Sequence, residues 1–114
     1  MTRISTHVLD TARGVPAQDM SVHLERHVDS GEWRVIASAQ TDPNGRCEQL
    51  VPEGETVSPG IYRLAFDTAG YHARHNQHGL YPIVLVTFSV RDGETHFHIP
   101  LLLSPHGYTT YRGS

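Results

Sequence analysis

Apolar residues in this chain come in short runs of period two, and most runs are closed by Gly, Pro, Asn or Asp. Met20, Val22 and Leu24 alternate with Ser21, His23 and Glu25, the rhythm of a strand with one buried face. Arg3 to Leu9 reads as a first strand before a turn at Asp10–Pro16, and Trp33 to Ala39 follows the turn Asp29-Ser30-Gly31. Asp42-Pro43-Asn44-Gly45 is a strong turn signal, because Pro pre-sets φ and Asn-Gly accepts a positive φ. It launches a short strand at Arg46 to Leu50. Gly60 to Asp67 places Tyr62, Leu64 and Phe66 on one face, and Ile83 to Val90 is a strongly apolar strand after Pro82. Arg91-Asp92-Gly93-Glu94 reads as a hairpin turn answered by His96 to Leu103, and Gly107 to Arg112 makes a last strand. Only Thr68 to His75 is spaced for a helix, about two turns capped by Asp67 or Thr68. The pattern predicts an all-β, two-sheet eight-stranded sandwich with one short helix and no internal repeat.

Composition narrows what such a sandwich can do. At 114 residues with 38% hydrophobic content, a single domain spanning 1–114 with a real core is expected, and burying one face against a copy of itself would help so small a unit. A net charge of -3 without any basic run argues against nucleic acid or an anionic membrane as partner. All nine basic residues are Arg, which excludes lysine Schiff-base chemistry. The single Cys47 excludes an internal disulfide and a thiolate metal cluster. No stretch approaches membrane-spanning length and the first residues hold no apolar signal core, so a soluble, cytoplasmic protein is expected.

Chemistry concentrates in the nine histidines and in the C-terminal end. Period two puts His96, His98, Pro100 and Leu102 on one strand face and Phe97, Ile99 and Leu101 on the other. Pro100 lacks an amide donor, which predicts an edge or a bulge there. His72, His75 and His78 read as a solvated segment, and His23 and His27 as solvent-facing strand residues. His7, His96 and His98 could supply three nitrogens to an open zinc site, but no carboxylate or Cys stands at ligand spacing. Ser104-Pro105 reads as a turn, and without a Gly-x-Ser-x-Gly a serine triad is not expected.

Four motifs in order carry a resemblance. They are Thr-His-Val-Leu-Asp-Thr-Ala-Arg-Gly-Val-Pro-Ala from Thr6, Gly-Arg-Cys at Gly45–Cys47, and Pro-Gly-Ile-Tyr-Arg-Leu-Ala-Phe-Asp at Pro59–Asp67. The fourth is His-Phe-His-Ile-Pro-Leu-Leu-Leu-Ser-Pro from His96, closed by the terminal Tyr111-Arg112-Gly113-Ser114. Together they resemble the transthyretin-like 5-hydroxyisourate hydrolases of urate degradation, over nearly the whole chain. The resemblance implies a transthyretin-like sandwich assembled as a homotetramer, a dimer of dimers, with active sites where dimers meet. It implies hydrolysis of 5-hydroxyisourate to 2-oxo-4-hydroxy-4-carboxy-5-ureidoimidazoline without a metal or other cofactor. It also implies one site lined by His7, Arg46, His98 and the terminal tetrapeptide. His7, Arg46, His98 and Ser114 would be catalytic, and His7, Arg46, Tyr111 and Arg112 would bind substrate. His96 is expected at the rim, or displaced by a bulge near Pro100. The alternative from another class is a transthyretin-like carrier of a small aromatic ligand, whose channel should be largely apolar.

Overall fold

Alternating burial sorts each strand's residues onto two faces. The computed structural model describes residues 2–114. In β1 (Arg3–Asp10), Ile4, Thr6 and Val8 are fully buried and face the core, which leaves Ser5, His7 and Leu9 on the opposite face. The further elements are β2 (Val15–Pro16), β3 (Ser21–His27), β4 (Trp33–Gln40), β5 (Arg46–Cys47), β6 (Gly60–Phe66), α1 (Thr68–Arg74), β7 (Val84–Val90), β8 (His96–Ser104) and β9 (Gly107–Thr110). One sheet runs β2-β1-β8-β9 with β5 also on β1, and the other runs β4-β3-β6-β7. Their inner faces share one core that includes Ile4, Val8, Val22, Leu24, Tyr62, Leu64, Phe66, Phe97, Ile99, Leu101 and Leu103. The two-sheet sandwich with one short helix is as the sequence predicts. A ninth strand, β2, forms where only a turn was expected, because Leu9 and Asp10 pair with Pro16 and Val15.

β1 and β8 run parallel and unbroken, from Arg3 opposite His96 to Asp10 opposite Leu103. Their connection is the whole second sheet plus the helix, since parallel neighbours cannot be joined by a tight turn. This corrects the expected hairpin at Arg91–Glu94. The turn itself forms, with Gly93 at φ 84 and the Glu94 amide donating to the Arg91 carbonyl at 3.2 Å. It crosses between sheets instead, because both edges of β8 are already taken by β1 and β9.

Pro100 is also placed differently. It sits inside a central strand, and the β1–β8 register passes through it without a bulge. Its cost falls on β9. Leu101 pairs with Thr110 and His98 with Gly113 in one register, which puts Tyr111 opposite Pro100. Pro has no amide to offer there, so the ladder lapses and re-forms at Gly113.

The helix is held at its start and from its middle. Asp67 caps it by accepting from the Gly70 amide at 3.0 Å, and the Tyr71 hydroxyl donates to the buried Asp10 carboxylate at 2.8 Å. Of the three histidines expected in solvent here, His78 is exposed but His72 is buried on the helix at 2% exposure, packed close to Gly79. No helix among the described residues is long and apolar enough to cross a membrane.

Candidate active site

Arg46 owes its position to a turn bonded to β1. The Asp42 carboxylate accepts from the amides of Asn44 at 2.8 Å and Arg46 at 2.9 Å. Gly45 takes φ 77, and its carbonyl accepts the Val8 amide at 2.7 Å. A Cβ on Gly45 would overlap the Val8 carbonyl oxygen, so both the conformation and the close approach require glycine. The strand then pairs Arg46 with His7 and Cys47 with Thr6, and stops. It is shorter than the expected Arg46–Leu50 because the Gln49 side chain takes over, accepting from the amides of Ile4 and Val51 at 3.1 and 3.0 Å. The guanidinium of Arg46, half-buried, makes no hydrogen bond or ion pair to any described residue.

His98 comes from the middle of β8 and stands directly opposite Ser5. Its Nδ1 lies 2.8 Å from the Ser5 hydroxyl oxygen, while Nε2 has no partner among the described residues. The ring is held from its other edge by the chain end. The Gly113 amide donates to the His98 carbonyl at 2.7 Å, and a Cβ on Gly113 would overlap the Cδ2 of His98. Glycine in the terminal tetrapeptide is therefore a steric condition for the imidazole's position.

Arg46, His98 and Ser114 line one cavity of about 160 Å³ on the outer face of the first sheet, together with Arg3, Ser5, Thr6, Cys47, Glu48 and His96. That volume is several times the ~30 Å³ share of one water molecule in the liquid. His7 lies beside it, between Arg46 on β5 and Pro100 on β8, without forming its wall. Tyr111 and Arg112 are not brought to this cavity within one chain. They border a separate apolar pocket with Val86, Phe88, Phe97 and Ile99. Arg112 is occupied there: it pairs with Glu94 at 3.0 Å, donates to the His96 carbonyl at 3.1 Å and lies over the Phe97 ring.

The electrostatics suit a neutral base. Burial, then the charges of Arg46, His7 and His96, push the pKa of His98 below the ordinary 6.5, against a small opposing pull from Glu48. Cys47 in the same wall is inert, its thiol pushed up to about 11 by burial and by Asp42. No three His, Cys, Asp or Glu side chains among the described residues are arranged to hold a metal ion, so His7, His96 and His98 do not form the ligand set their spacing suggested.

Two features were understated or missed in the sequence. Of the two placements expected for His96, the bulge does not form, and the exposed residue lines the cavity beside His98, as strict alternation along β8 requires; it was the weight of its part that the sequence understated. Ser5 carried no signal of its own, although alternation from His7 places it on the same face.

A sandwich whose first and penultimate long strands run parallel, with polar groups gathered on the outer face of that pair, belongs with the transthyretin-like folds. The solved sea bream transthyretin in complex with thyroxine matches at TM-score 0.90 and 29% identity, covering 97% of this chain and 94% of that one. The structure of Klebsiella pneumoniae 5-hydroxyisourate hydrolase matches at TM-score 0.85 and 31% identity, covering 99% of this chain and all 100% of that one. The 5-hydroxyisourate hydrolase of Mus musculus is 43% identical over 112 residues, 97% of this chain and 94% of that protein. The chain belongs to the HIUase/Transthyretin family, whose model matches residues 4–113.

Proposed function

We propose that this protein is the hydrolase of its family and opens the ring of 5-hydroxyisourate in urate degradation. Full-length relatives carrying that name support the reaction. The observation that carries it to this chain is the cavity: an unpaired Arg46 guanidinium and the free Nε2 of His98 open onto one small polar space. A carrier of an aromatic ligand would want an apolar wall there, and this wall is charged and hydroxylic.

In the proposed mechanism neutral His98 takes a proton at Nε2 from a water, whose oxygen bonds to a ring carbonyl carbon. Arg46 donates two N–H groups to the oxygen on which negative charge builds. The carbon–nitrogen bond of the ring amide then breaks, the proton held on Nε2 passes to the departing nitrogen, and the single ring-opened product carries a carboxylic acid and a ureido group. Ser114 donates or accepts from the wall of the cavity, which His96 also lines and His7 flanks.

Assembly completes this reading. The cavity is open on the outer sheet face, and Leu80, Ile83, Tyr108 and Tyr111 are exposed apolar or aromatic residues. A homotetramer, a dimer of dimers, would cover such a face and let Tyr111 reach a neighbouring copy's substrate. The protein is proposed to act in the cytoplasm. The test is to make 5-hydroxyisourate from urate with urate oxidase and follow its decay by absorbance. Micromolar protein is expected to speed the decay well beyond its spontaneous rate, and an unchanged decay overturns the proposal.

A further inference from the structure

We infer that Ser5 is the positioning residue of His98: its hydroxyl oxygen accepts the Nδ1–H and so presents the Nε2 lone pair to the cavity. The inference rests on the hydrolase reading for its consequence in rate, but not for its geometry. A neutral imidazole carries one proton on one of two nitrogens, and the hydrogen bond made by one nitrogen decides the state of the other. In water, unheld, neutral histidine prefers the proton on Nε2. A general base acting through Nε2 needs the opposite arrangement.

Ser5 is placed to hold it, as an acceptor on Nδ1–H. The residue is buried at 7% exposure, its Oγ lies 2.8 Å from Nδ1, and it makes no other side-chain hydrogen bond. Both residues sit on neighbouring strands inside one sheet, directly opposite in an unbroken register, so their separation does not depend on a loop. The Cδ2 edge of the same ring is held by Gly113, which leaves Nε2 as the nitrogen facing open space.

The choice of a hydroxyl has a chemical meaning. In a Ser-His-Asp triad the orienting carboxylate also stabilises the imidazolium. Ser5 orients without charge, and the groups whose charges bear on His98 are Arg46 on β5, His7 on β1, His96 on β8 itself and Glu48 after β5. Burial and the Arg46 guanidinium both disfavour an imidazolium there, which favours passing a proton taken from water on to the leaving nitrogen.

Imidazole nitrogens report their tautomer directly in two-bond ¹⁵N–¹H correlation spectra of the assembled wild-type protein, recorded well above the His98 titration. The expected result is His98 with its proton on Nδ1. A wild-type protein with the proton on Nε2 overturns the inference without any variant being made. Ser5→Ala should shift the population toward Nε2–H and lower kcat about 10- to 100-fold, the range seen when an orienting partner of a reactive group is removed. KM should stay within about twofold by the same logic. Ser5→Thr, which keeps the hydroxyl, should restore both the tautomer and the rate. A Ser5→Ala protein that keeps the Nδ1–H form and full kcat also overturns it. If wild type fails to act on 5-hydroxyisourate yet shows Nδ1–H, the hydrolase reading fails and the positioning stands.

Discussion

The outer faces of the two sheets carry the same pair of groups in different company. On the second sheet His23 and Ser38 are directly opposite on β3 and β4, with Nδ1 and Oγ 2.7 Å apart. On the first, Ser5 and His98 are directly opposite with the same atoms 2.8 Å apart. Pairing a histidine with a serine is therefore not what makes a site. Around His23 the neighbouring cation, Arg63, is spent: it pairs with Glu25 at 2.8 Å and stacks over Trp33 at 4.1 Å. Around His98 the cation is Arg46, which is unspent, and Gly113 and Ser114 at the end of the chain shape the space between them. Among the described residues both histidines leave Nε2 open, and what separates them is a cation engaged on the second sheet and free on the first.

Short of removing His98 itself, losing Arg46 should collapse that difference most. Arg46→Ala is expected to lower kcat by about two to three decades, the range for deleting one donor to a developing oxyanion. The same substitution has a titration signature. Cations around His98 disfavour its imidazolium, so on acidification wild type keeps the neutral, active form to a pH below 6.5. Without Arg46 the His98 midpoint should rise, yet stay below 6.5, because burial is the larger cause and remains. An NMR titration of the variant checks this, and an unmoved midpoint would mean Arg46 does not act on His98.

Gly113→Ala should cost less, because it displaces a ring instead of deleting a charge. The added methyl would occupy the space of Cδ2, so either the imidazole rotates off Ser5 or the terminal bridge to His98 opens. A roughly 10- to 100-fold fall in kcat is expected, as for other misplacements of about an ångström. The melting temperature should change little, since the bridge lies beyond the last strand and outside the core. Gly107→Ala, where a Cβ has room, is the matched control.

Much of this was legible in the chain because it is local. Alternation along Met20–Leu24 or Gly60–Phe66, and the turn at Asp42–Gly45, are decided by residues within a few positions of one another. Arg46 and His98 came from motifs, and the strand face of His96 and His98 followed from period two. What stayed hidden depends on partners far apart. Ser5 and His98 are 93 residues apart, and nothing near either one announces the parallel pairing of β1 and β8. The Arg91–Glu94 turn looked like a hairpin because its own chemistry is that of a turn; where β8 goes afterwards is settled by β1 and β9. Pro100 was expected at an edge or a bulge, and it instead sits inside a central strand opposite a gap in its neighbour's ladder. His72 looked polar, and packing against Gly79 buries it.

The sharpest test compares the two histidines in one assay. Decay of freshly generated 5-hydroxyisourate is followed with His98→Ala and with His23→Ala, each at the wild-type concentration. His98→Ala should lose about two to four decades of kcat, the span of a lost acid–base group, while His23→Ala should match wild type within about twofold. Equal activities in the two variants would contradict the assignment of the first-sheet cavity as the place where the ring is opened.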